Sequence, residues 1–268
     1  MDKVVILAAG LGKRMRSLDP SASLTEEQSE VAAKGIKALI PIGRPFLDHV
    51  LSRAADAGYR RVCLVIGPHH EEVRRYYRDL ACRRLAIDFA VQSEPLGTAH
   101  AVAAAEEFVD RDPFLVINSD NCYPAAAMRA LREAGRCAVA GFDRRGMIRG
   151  SNIPADRLAK FGLLEEDDHG ELKRVVEKPA PAILERLPDP VLISMNCWRF
   201  GPPIFTACRA IDKSARGEYE IPDAVMYSME RLGQRYRVVR CDEAVLDLST
   251  RTDIETVAQR LADEEVEL

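Results

Sequence analysis

The stretch that decides the fold is "KVVILAAGLGKRMR", residues 3–16, in which a short apolar run leads straight into two glycines and a group of cations. Residues 3–7 have the composition of a buried strand. Gly10 and Gly12 let backbone N–H groups approach a ligand that a Cβ atom would keep away, and successive N–H groups in such a turn attract anions. Full positive charges follow on Lys13, Arg14 and Arg16. The stretch predicts a strand that ends in a phosphate-binding loop, with an ordinary glycine turn as the alternative.

Two common phosphate-binding motifs do not fit this loop. The dinucleotide pattern GxGxxG fails because Met15 occupies the position of the third glycine, and the Walker pattern GxxxxGK[ST] is absent. The chain also lacks the acidic residue at the end of a second strand that a Rossmann dehydrogenase uses. What remains is a strand followed by GxGxR, which by itself is a weak signal for a phosphate ligand.

Strand and helix patterns alternate in the first half of the chain. Apolar runs typical of strands recur at residues 61–67, 85–92 and 113–120. Helical patterns separate them, as in residues 45–58, where apolar side chains recur at i, i+4 spacing. This order implies crossover connections and therefore an α/β, Rossmann-like fold with a mixed, mainly parallel central sheet flanked by helices.

The second half has a more mixed pattern. Strand-like segments follow one another without long helices between them at residues 137–143, 160–167, 171–179 and 191–200. Helical patterns return at residues 202–213, 222–232 and 251–264. This half therefore predicts a smaller β region. No stretch rich in Gly, Ser or Pro separates it from the first half, so residues 1–268 are expected to form a single domain.

Composition excludes several classes of protein. The 268 residues, 47% of them hydrophobic, contain no apolar run long enough to span a membrane and no export segment, so we expect a cytoplasmic protein. The seven cysteines are odd in number and show no CxxC spacing, which favours reduced thiols over disulfides or zinc. A net charge of −4 argues against a nucleic-acid partner. The five histidines show no metal-ligand spacing and are interpreted as structural or surface residues.

Polar residues stand where the predicted strands end, and ligands of open α/β sheets bind at that edge. Gln92 carries an amide that both donates and accepts, which suits the edge of a nucleobase; a simple turn residue is the alternative. Gly97 belongs to a turn, and Thr98 is placed to cap the next helix. Asp120 ends a buried strand, where a carboxylate is costly unless something uses it. Mg²⁺ is its natural partner, and a helix cap is the alternative.

Six motifs occur in a fixed order over nearly the whole chain: "LAAGLGKRM", "KALIPIGRPFL", "QSEPLGTAHA", "INSDN", "VVEKP" and "LDLST". Together they resemble the sugar-1-phosphate nucleotidyltransferases of the glucose-1-phosphate thymidylyltransferase type. The resemblance implies the nucleotide-diphospho-sugar transferase fold. It also implies a nucleotide-binding half, residues 1–120, and a sugar-phosphate-binding half, residues 121–268.

The resemblance further implies a role for each matching position. The catalytic positions are Arg14, Lys37, Asp120 and Lys178. The nucleotide-binding positions are Ala9, Gly10, Gly12, Lys13, Gln92, Gly97 and Thr98. The sugar-phosphate positions are Gly162, Glu177, Lys178 and Asn196. Mg²⁺ is expected on Asp120 and Asp247.

The implied reaction joins a nucleoside triphosphate, with dTTP or UTP favoured, to a sugar-1-phosphate such as glucose-1-phosphate. It gives a nucleotide sugar and pyrophosphate. A homo-oligomer is possible, and neither nucleic acid nor membrane is expected as a partner. Two alternatives stay open: a cytidylyltransferase for a non-sugar phosphate, and a non-catalytic regulator of the same fold that binds a nucleotide sugar.

The chain departs from the family pattern in two places that bear on specificity. Trp198 stands where many relatives have glycine, and we expect it on the sugar side, which leaves the sugar open. Residues 17–35 form an insertion that reads as a helix, with a capping box made by Ser23 and Glu26 and with Gly35 as its end. This insertion is either a lid over the nucleotide or a surface addition.

Overall fold

The computed structural model describes residues 1–177 and 189–268, and nine strands within these ranges form one central sheet. The strands are β1 Lys3–Leu7, β4 Arg61–Ile66, β5 Ala86–Val91, β6 Phe114–Asn118, β8 Ala138–Asp143, β9 Leu163–Glu166, β10 Leu172–Val176, β11 Leu192–Phe200 and β12 Arg237–Cys241. Two small antiparallel pairs lie outside it: β2 Pro41–Ile42 with β3 Arg44–Pro45, and β7 Asn121–Cys122 with β13 Leu246–Asp247. The order in the sheet is β10-β9-β11-β6-β1-β4-β5, and β8 joins β11 to β12.

Most strands of the sheet point the same way. β1 is parallel to β4 and β6, and β4 is parallel to β5. β11 is antiparallel to β6, β8 and β9, so these three share the direction of β1, and β12 is parallel to β8. Of the nine described strands in this sheet, only β10 and β11 run antiparallel to β1. The prediction of a mixed, mainly parallel sheet is confirmed.

The long strand β11 has two different partners along one of its edges. Trp198–Phe200 pair with β6, whereas Leu192 and Ile193 pair with β9. The residues between these two segments pair with neither strand, so the sheet opens between the carboxyl end of β6 and the start of β9. A gap of this kind at the carboxyl ends of parallel strands is the usual position of a ligand in such sheets.

Helices cover both faces of the sheet. One apolar core packs the first face against α3 Phe46–Asp56, α4 Glu71–Asp79, α7 Ala125–Glu133, α8 Arg144–Gly150, α9 Ala155–Leu158 and α12 Arg251–Leu261. A second core packs the other face against α5 Thr98–Ala103, α6 Glu106–Val109, α10 Pro203–Ala210 and α11 Ile221–Leu232. The short helix α1 Lys13–Arg16 and the helix α2 Glu26–Lys34 lie beside the end of β1. In the described ranges, no helix is both long and apolar enough to cross a membrane.

Several helices differ from the sequence prediction. The pattern of residues 97–109 predicts one helix, but the segment breaks at Ala104 and Ala105 into α5 and α6. Helix α7 was not predicted, because alanines occupy much of the segment and only Met128 and Leu131 give its buried face a strong apolar signal.

Candidate active site

A cavity of about 440 Å³ opens where the carboxyl ends of β1 and β6 meet the gap beside β11. Many of the predicted site residues line it: Ala9, Gly10, Gly12, Lys13, Lys37, Gln92, Gly97, Thr98, Asp120 and Asn196. Four others lie near it without lining it: Arg14, Gly162, Glu177 and Asp247. Lys178 falls outside the described residues. The fold thus brings together groups that are more than a hundred residues apart in sequence.

The glycine loop leaves open space for a ligand. Within the described part of the chain, no atom beyond the neighbouring residues lies within 4 Å of the point where a Cβ on Gly10 would stand. Gly12 has a φ of 59° and precedes α1. Lys13 lines the cavity, whereas Arg14 is exposed on the same turn. Arg16 points elsewhere, because its Nε donates to the carbonyl of Lys34, 3.1 Å away.

The insertion ends in a helix, α2, that begins later than predicted. Thr25, rather than Ser23, forms the capping box: its Oγ1 accepts from the backbone N of Gln28 at 3.2 Å, and its own N donates to Gln28 Oε1 at 3.1 Å. The capping box assigned to Ser23 and Glu26 was therefore wrong, whereas the helix end at Gly35 is confirmed by a φ of 76°.

Helix α2 packs directly on the glycine loop. A Cβ on Gly12 would lie 2.2 Å from the carbonyl oxygen of Gly35, so the two backbones are in contact. The backbone N of Lys37 also donates to that carbonyl, at 3.1 Å. Arg251 ties both segments together, since its Nε donates to the Met15 carbonyl and its guanidinium reaches Ser29 Oγ. The insertion therefore supports the loop and Lys37 together.

Lys37 and Asp120 form an ion pair at the wall of the cavity. The Lys37 Nζ atom lies 2.9 Å from Asp120 Oδ2, and the side chains are 14% and 27% exposed. Among the described residues none donates to Asp120 Oδ1. Helix α7 begins after Pro124 without a side-chain cap. The alternative in which Asp120 caps the next helix is therefore not realised.

Asp247 lies next to Asp120, as the sequence motifs predicted. Strands β7 and β13 pair Asp247 with Asn121, and the backbone N of Leu248 donates to the Asp120 carbonyl at 2.8 Å. The Asp247 carboxylate accepts from Asn121 Nδ2 at 2.9 Å and from Arg157 at 2.6 Å. Burial, together with the charge of Asp120, raises the pKa of Asp247 above its usual value. Two carboxylates are thus held close together.

This pair of carboxylates fits the protein's share of a Mg²⁺ site. Mg²⁺ is normally held by one or two carboxylates, with water and substrate phosphates completing the shell. Asp120 offers an oxygen without a described hydrogen-bond donor, and a cation would relieve the repulsion between Asp120 and Asp247. Within residues 1–177 and 189–268 no group of three or more metal-ligating side chains exists. The remaining ligands would have to be water and phosphate oxygens.

The hydrogen bonds of Gln92 fix the orientation of its amide. Gln92 is 5% exposed. Its Nε2 lies 2.9 Å from the carbonyl of Gly97 and 3.2 Å from Nδ1 of His100. A carbonyl only accepts, so the NH₂ group must face Gly97. No described residue donates to Oε1, which leaves an acceptor for a ligand.

The turn at Gly97 is clamped by a loop from the second half of the chain. Gly97 has a φ of 104°, and a Cβ there would lie 2.5 Å from the carbonyl of Tyr219. Tyr219 accepts from the backbone N of Ala99 and donates to the Leu96 carbonyl. Thr98 does not cap α5 as predicted; instead its hydroxyl oxygen accepts from the backbone N of Ile221, the first residue of α11, at 2.9 Å.

The sugar side lies at the gap in the sheet. A Cβ on Gly162 would lie 2.9 Å from Glu177 Oε1, so these two predicted residues are neighbours. The backbone N of Ser194 donates to the Gly162 carbonyl at 2.8 Å. Asn196 lines the cavity from an irregular part of β11 and has a φ of 55°, which is uncommon for a residue other than glycine. Of these residues only Asn196 lines the cavity, whereas Gly162 and Glu177 contact each other beside Ser194 of β11.

Trp198 does not lie on the sugar side as expected. Its side chain is fully buried in the second core and stacks on Phe200, with 5.7 Å between ring centroids. Its Nε1 reaches Asn196 Oδ1 at 3.4 Å. Trp198 therefore acts on the cavity only through the orientation of Asn196.

Several residues near the cavity were not predicted. His70 lines it from the loop after β4, and burial lowers the pKa of its imidazole. Because β4 ends at the same edge as β1 and β6, the rule on strand ends could have found this loop. Arg157 comes from the short helix α9 and Arg216 from the loop between α10 and α11, and neither segment carries such a signal. The pKa of Arg216 is raised mainly by its hydrogen bond to Glu220, and the charge of Glu177 also contributes.

Comparison with known proteins identifies close counterparts over the whole chain. A family described as nucleotidyl transferase matches residues 3–264. The chain is 30% identical to a UTP–glucose-1-phosphate uridylyltransferase, AglF, of Haloferax volcanii, over 98% of this chain and 97% of that protein. It is 31% identical to a glucose-1-phosphate thymidylyltransferase of Streptomyces antibioticus, over 85% of this chain but only 57% of that protein.

The fold also has counterparts among solved structures. A UDP-glucose pyrophosphorylase in complex with UDP-glucose superimposes with a TM-score of 0.75 at 19% identity, over 99% of this chain and 100% of the other. The apo form of a UDP-glucose pyrophosphorylase gives the same TM-score at 18% identity. At these identities the likeness shows a common fold.

Proposed function

This chain belongs to the nucleotidyl transferase family, and we propose that it joins a nucleoside triphosphate to a sugar-1-phosphate, giving a nucleotide sugar and pyrophosphate. The observation that carries the proposal is the Lys37–Asp120 pair, which shares one cavity with the open glycine loop at Gly10 and with Asn196. The groups that we propose for phosphate binding and for sugar binding thus line one cavity.

The proposed reaction needs fixed positive charge more than it needs a base. A phosphate oxygen of the sugar-1-phosphate attacks the α-phosphorus, and the bond from that phosphorus to the pyrophosphate oxygen breaks. Both reactants are anionic and the attacking oxygen is already ionised, so charge repulsion and alignment are the obstacles. Preorganised cations reduce the charge repulsion, and binding both substrates in one cavity reduces the entropic cost of aligning them.

We assign the charges to this chain's residues as follows. The backbone at Gly10 and Gly12, together with Lys13, would hold the triphosphate. Lys37 and Arg14 would neutralise the reacting phosphates, and Lys178 would bind the acceptor phosphate. Mg²⁺ held by Asp120 and Asp247 would add positive charge at the phosphates when it is bound.

The free acceptor on Gln92 supports a uracil or thymine base. Both bases present an N3–H group that could donate to Oε1. Cytosine has no hydrogen on N3, so its N3 and the Gln92 Oε1 atom would be two acceptors facing each other. Of the pyrimidine nucleotides, UTP and dTTP therefore fit the described orientation of Gln92 better than CTP. The names of the relatives, which include a uridylyltransferase and a thymidylyltransferase, agree with this proposal.

The test is a matrix of nucleoside triphosphates against phosphorylated acceptors, scored by release of pyrophosphate with Mg²⁺ present. We expect turnover with UTP or dTTP and a sugar-1-phosphate, starting with glucose-1-phosphate. Lys37→Ala should lower the rate on the order of 10²-fold, whereas the exposed Lys173→Ala should leave it unchanged. Turnover only with CTP and phosphocholine would replace the proposal by the cytidylyltransferase alternative. No pyrophosphate with any pair would refute it.

A further inference from the structure

Arg157 lies between two buried carboxylates. One of its terminal nitrogens donates to Asp247 Oδ2 at 2.6 Å, and the other donates to Asp253 Oδ1 at 3.0 Å. The Asp247 and Asp253 side chains are only 5% and 6% exposed, and that of Arg157 is 20% exposed. A single guanidinium therefore bridges the two carboxylates away from bulk water.

The backbone of Asp247 and its other carboxylate oxygen are also fixed by hydrogen bonds. Asn152 binds its backbone on both sides, since Asn152 Nδ2 donates to the Asp247 carbonyl and the Asp247 N donates to Asn152 Oδ1, each at 2.8 Å. Asn121 donates to Oδ1 of the carboxylate. A carboxylate oxygen has two lone pairs, so the carboxylate keeps acceptor capacity after it has accepted from Asn121 and from the side chain of Ser249. Arg157 occupies the other oxygen, Oδ2.

A lysine could not replace this arrangement. The guanidinium is a planar fork that presents separate N–H groups to two carboxylates, whereas an ammonium is a single point of charge on a flexible stem. Asp253 is itself fixed, because it also accepts from the backbone N of Ser249 and Thr250 at the start of α12. Because Arg157 is hydrogen-bonded to both carboxylates, the fixed position of Asp253 also restricts the movement of the Asp247 carboxylate.

We propose that Arg157 is a positioning residue that presets Asp247 as a ligand for a divalent cation shared with Asp120. The inference rests on the proposed function for the presence of that cation. Groups that hydrogen-bond a metal ligand commonly contribute a factor of roughly 10 to 100 to metal affinity. Loss of the bridge should therefore weaken the metal and leave the cavity otherwise intact.

The test is a titration of the full chain with Mn²⁺ alone, followed by electron paramagnetic resonance of the free ion. We expect Arg157→Lys and Arg157→Gln to raise the Mn²⁺ Kd roughly 10- to 100-fold. Arg44→Lys is the matched control, because Arg44 pairs at 3.1 Å with the buried carboxylate of Asp48, which accepts its other hydrogen bonds from Tyr76 and Tyr77 and not from the residues around Asp120 and Asp247. This control should change the melting temperature but not the Mn²⁺ affinity.

A double-mutant cycle separates positioning from general stability. In an Asp247→Asn background, Arg157→Lys should cause no further loss of Mn²⁺ affinity, since the residue that it positions is gone. If circular dichroism shows that the Arg157 variants do not fold, Asp253→Asn decides instead. This substitution keeps a side chain that can cap α12 but removes one of the two carboxylates that bind Arg157. We expect it to lower the Mn²⁺ affinity in the same direction, by a smaller factor.

Unchanged or tighter Mn²⁺ binding in the folded variants would overturn the inference, as would a wild-type chain that binds no Mn²⁺. Neither readout involves turnover. Arg157-dependent Mn²⁺ binding without any release of pyrophosphate would therefore refute the proposed function and leave the positioning role standing.

Discussion

On the nucleotide side of the cavity the candidate ligand groups follow the ends of parallel strands, whereas on the sugar side they come from an irregular strand and from loops. Gly10 and Gln92 each stand a few residues after a strand, and much of what they offer is backbone or a fixed amide. Asn196 instead depends on a register shift in β11, and Gly162 on its contact with Glu177. On the nucleotide side local sequence places the ligand groups and tertiary contacts, such as that of Tyr219 with Gly97, hold them in position, whereas on the sugar side tertiary contacts also place the groups.

This difference has a consequence for substitutions. A change to one of the proposed ligand groups on the nucleotide side should act directly on phosphate or base, because we propose that these groups contact them. A change on the sugar side should often act through a neighbour, as Trp198 acts through Asn196. The following predictions test that distinction.

The largest effect is expected for Asp120→Ala. The substitution removes the partner of Lys37 and one predicted metal ligand, so kcat should fall on the order of 10²-fold or more. The measurement is steady-state release of pyrophosphate, with circular dichroism to check the fold. Asp88→Ala, at an exposed position on the edge strand β5, is the control and should keep full activity. Near-normal turnover of the Asp120 variant would contradict the assignment.

A smaller effect, confined to the acceptor, is expected for Lys178→Ala. A hydrogen bond to a charged group contributes about 1.5–3 kcal/mol, so the KM for the sugar phosphate should rise roughly 10- to 100-fold. The KM for the nucleotide should stay the same, and Lys173→Ala again serves as the control. A rise confined to the KM for the nucleotide would contradict this assignment and indicate that Lys178 binds the nucleotide.

Gly35→Ala should affect the nucleotide side and leave the sugar side unchanged. Gly35 has a φ of 76°, and a Cβ there would lie 2.8 Å from the Leu11 carbonyl and 2.6 Å from Arg16 Nε. The loop must shift to make room, so we expect a KM for the nucleotide higher by about tenfold and a loss of roughly 1–3 kcal/mol in the free energy of unfolding.

Gly233→Ala is the control for that substitution. Gly233 also ends a helix with a positive φ, 65°, but no atom lies within 4 Å of its Cβ position. Gly233→Ala carries the same cost of about 1 kcal/mol for placing alanine at a positive φ, and it should leave both KM values unchanged. Equal effects of the two substitutions on the nucleotide KM would show that α2 does not shape the loop.

The smallest effect is expected for Trp198→Phe. It removes the Nε1 donor to Asn196 and keeps an aromatic ring against Phe200. A hydrogen bond of about 0.5–1.5 kcal/mol corresponds to a rise of roughly 2- to 10-fold in the KM for the sugar phosphate. Tyr236→Phe, in the same aromatic cluster, removes a hydrogen bond to Ser228 and should lower stability only. A change in the nucleotide KM would contradict the indirect role of Trp198.

The parts of the molecule that the sequence predicts well are those set by local periodicity. Strands β1, β4, β5 and β6 agree with the predicted segments to within one or two residues at each end, because each is a mainly apolar run, interrupted in β5 by Asp88, that is bounded by polar or turn residues. The loops that follow them then reach the same edge of the sheet by topology alone.

The parts that the sequence misses depend on contacts between distant segments. Thr98 was expected to cap its own helix, yet its hydroxyl accepts from Ile221, 123 residues later. Arg157 binds Asp247 and Asp253, both more than eighty residues away. Trp198 was expected on the sugar side because many relatives have glycine at that position, but a comparison of single positions does not show that its side chain packs into the second core.

Strand β11 sets the spacing between the two substrates. It is hydrogen-bonded to the nucleotide half through β6 and to the sugar half through β9, and Asn196 lies between these two anchor points. Adding or removing one residue there would move the anchors relative to each other by about 3.3 Å and turn the intervening side chains to the opposite face. Under the proposed function, the length of acceptor that the cavity accommodates would therefore change in steps of one residue of this strand.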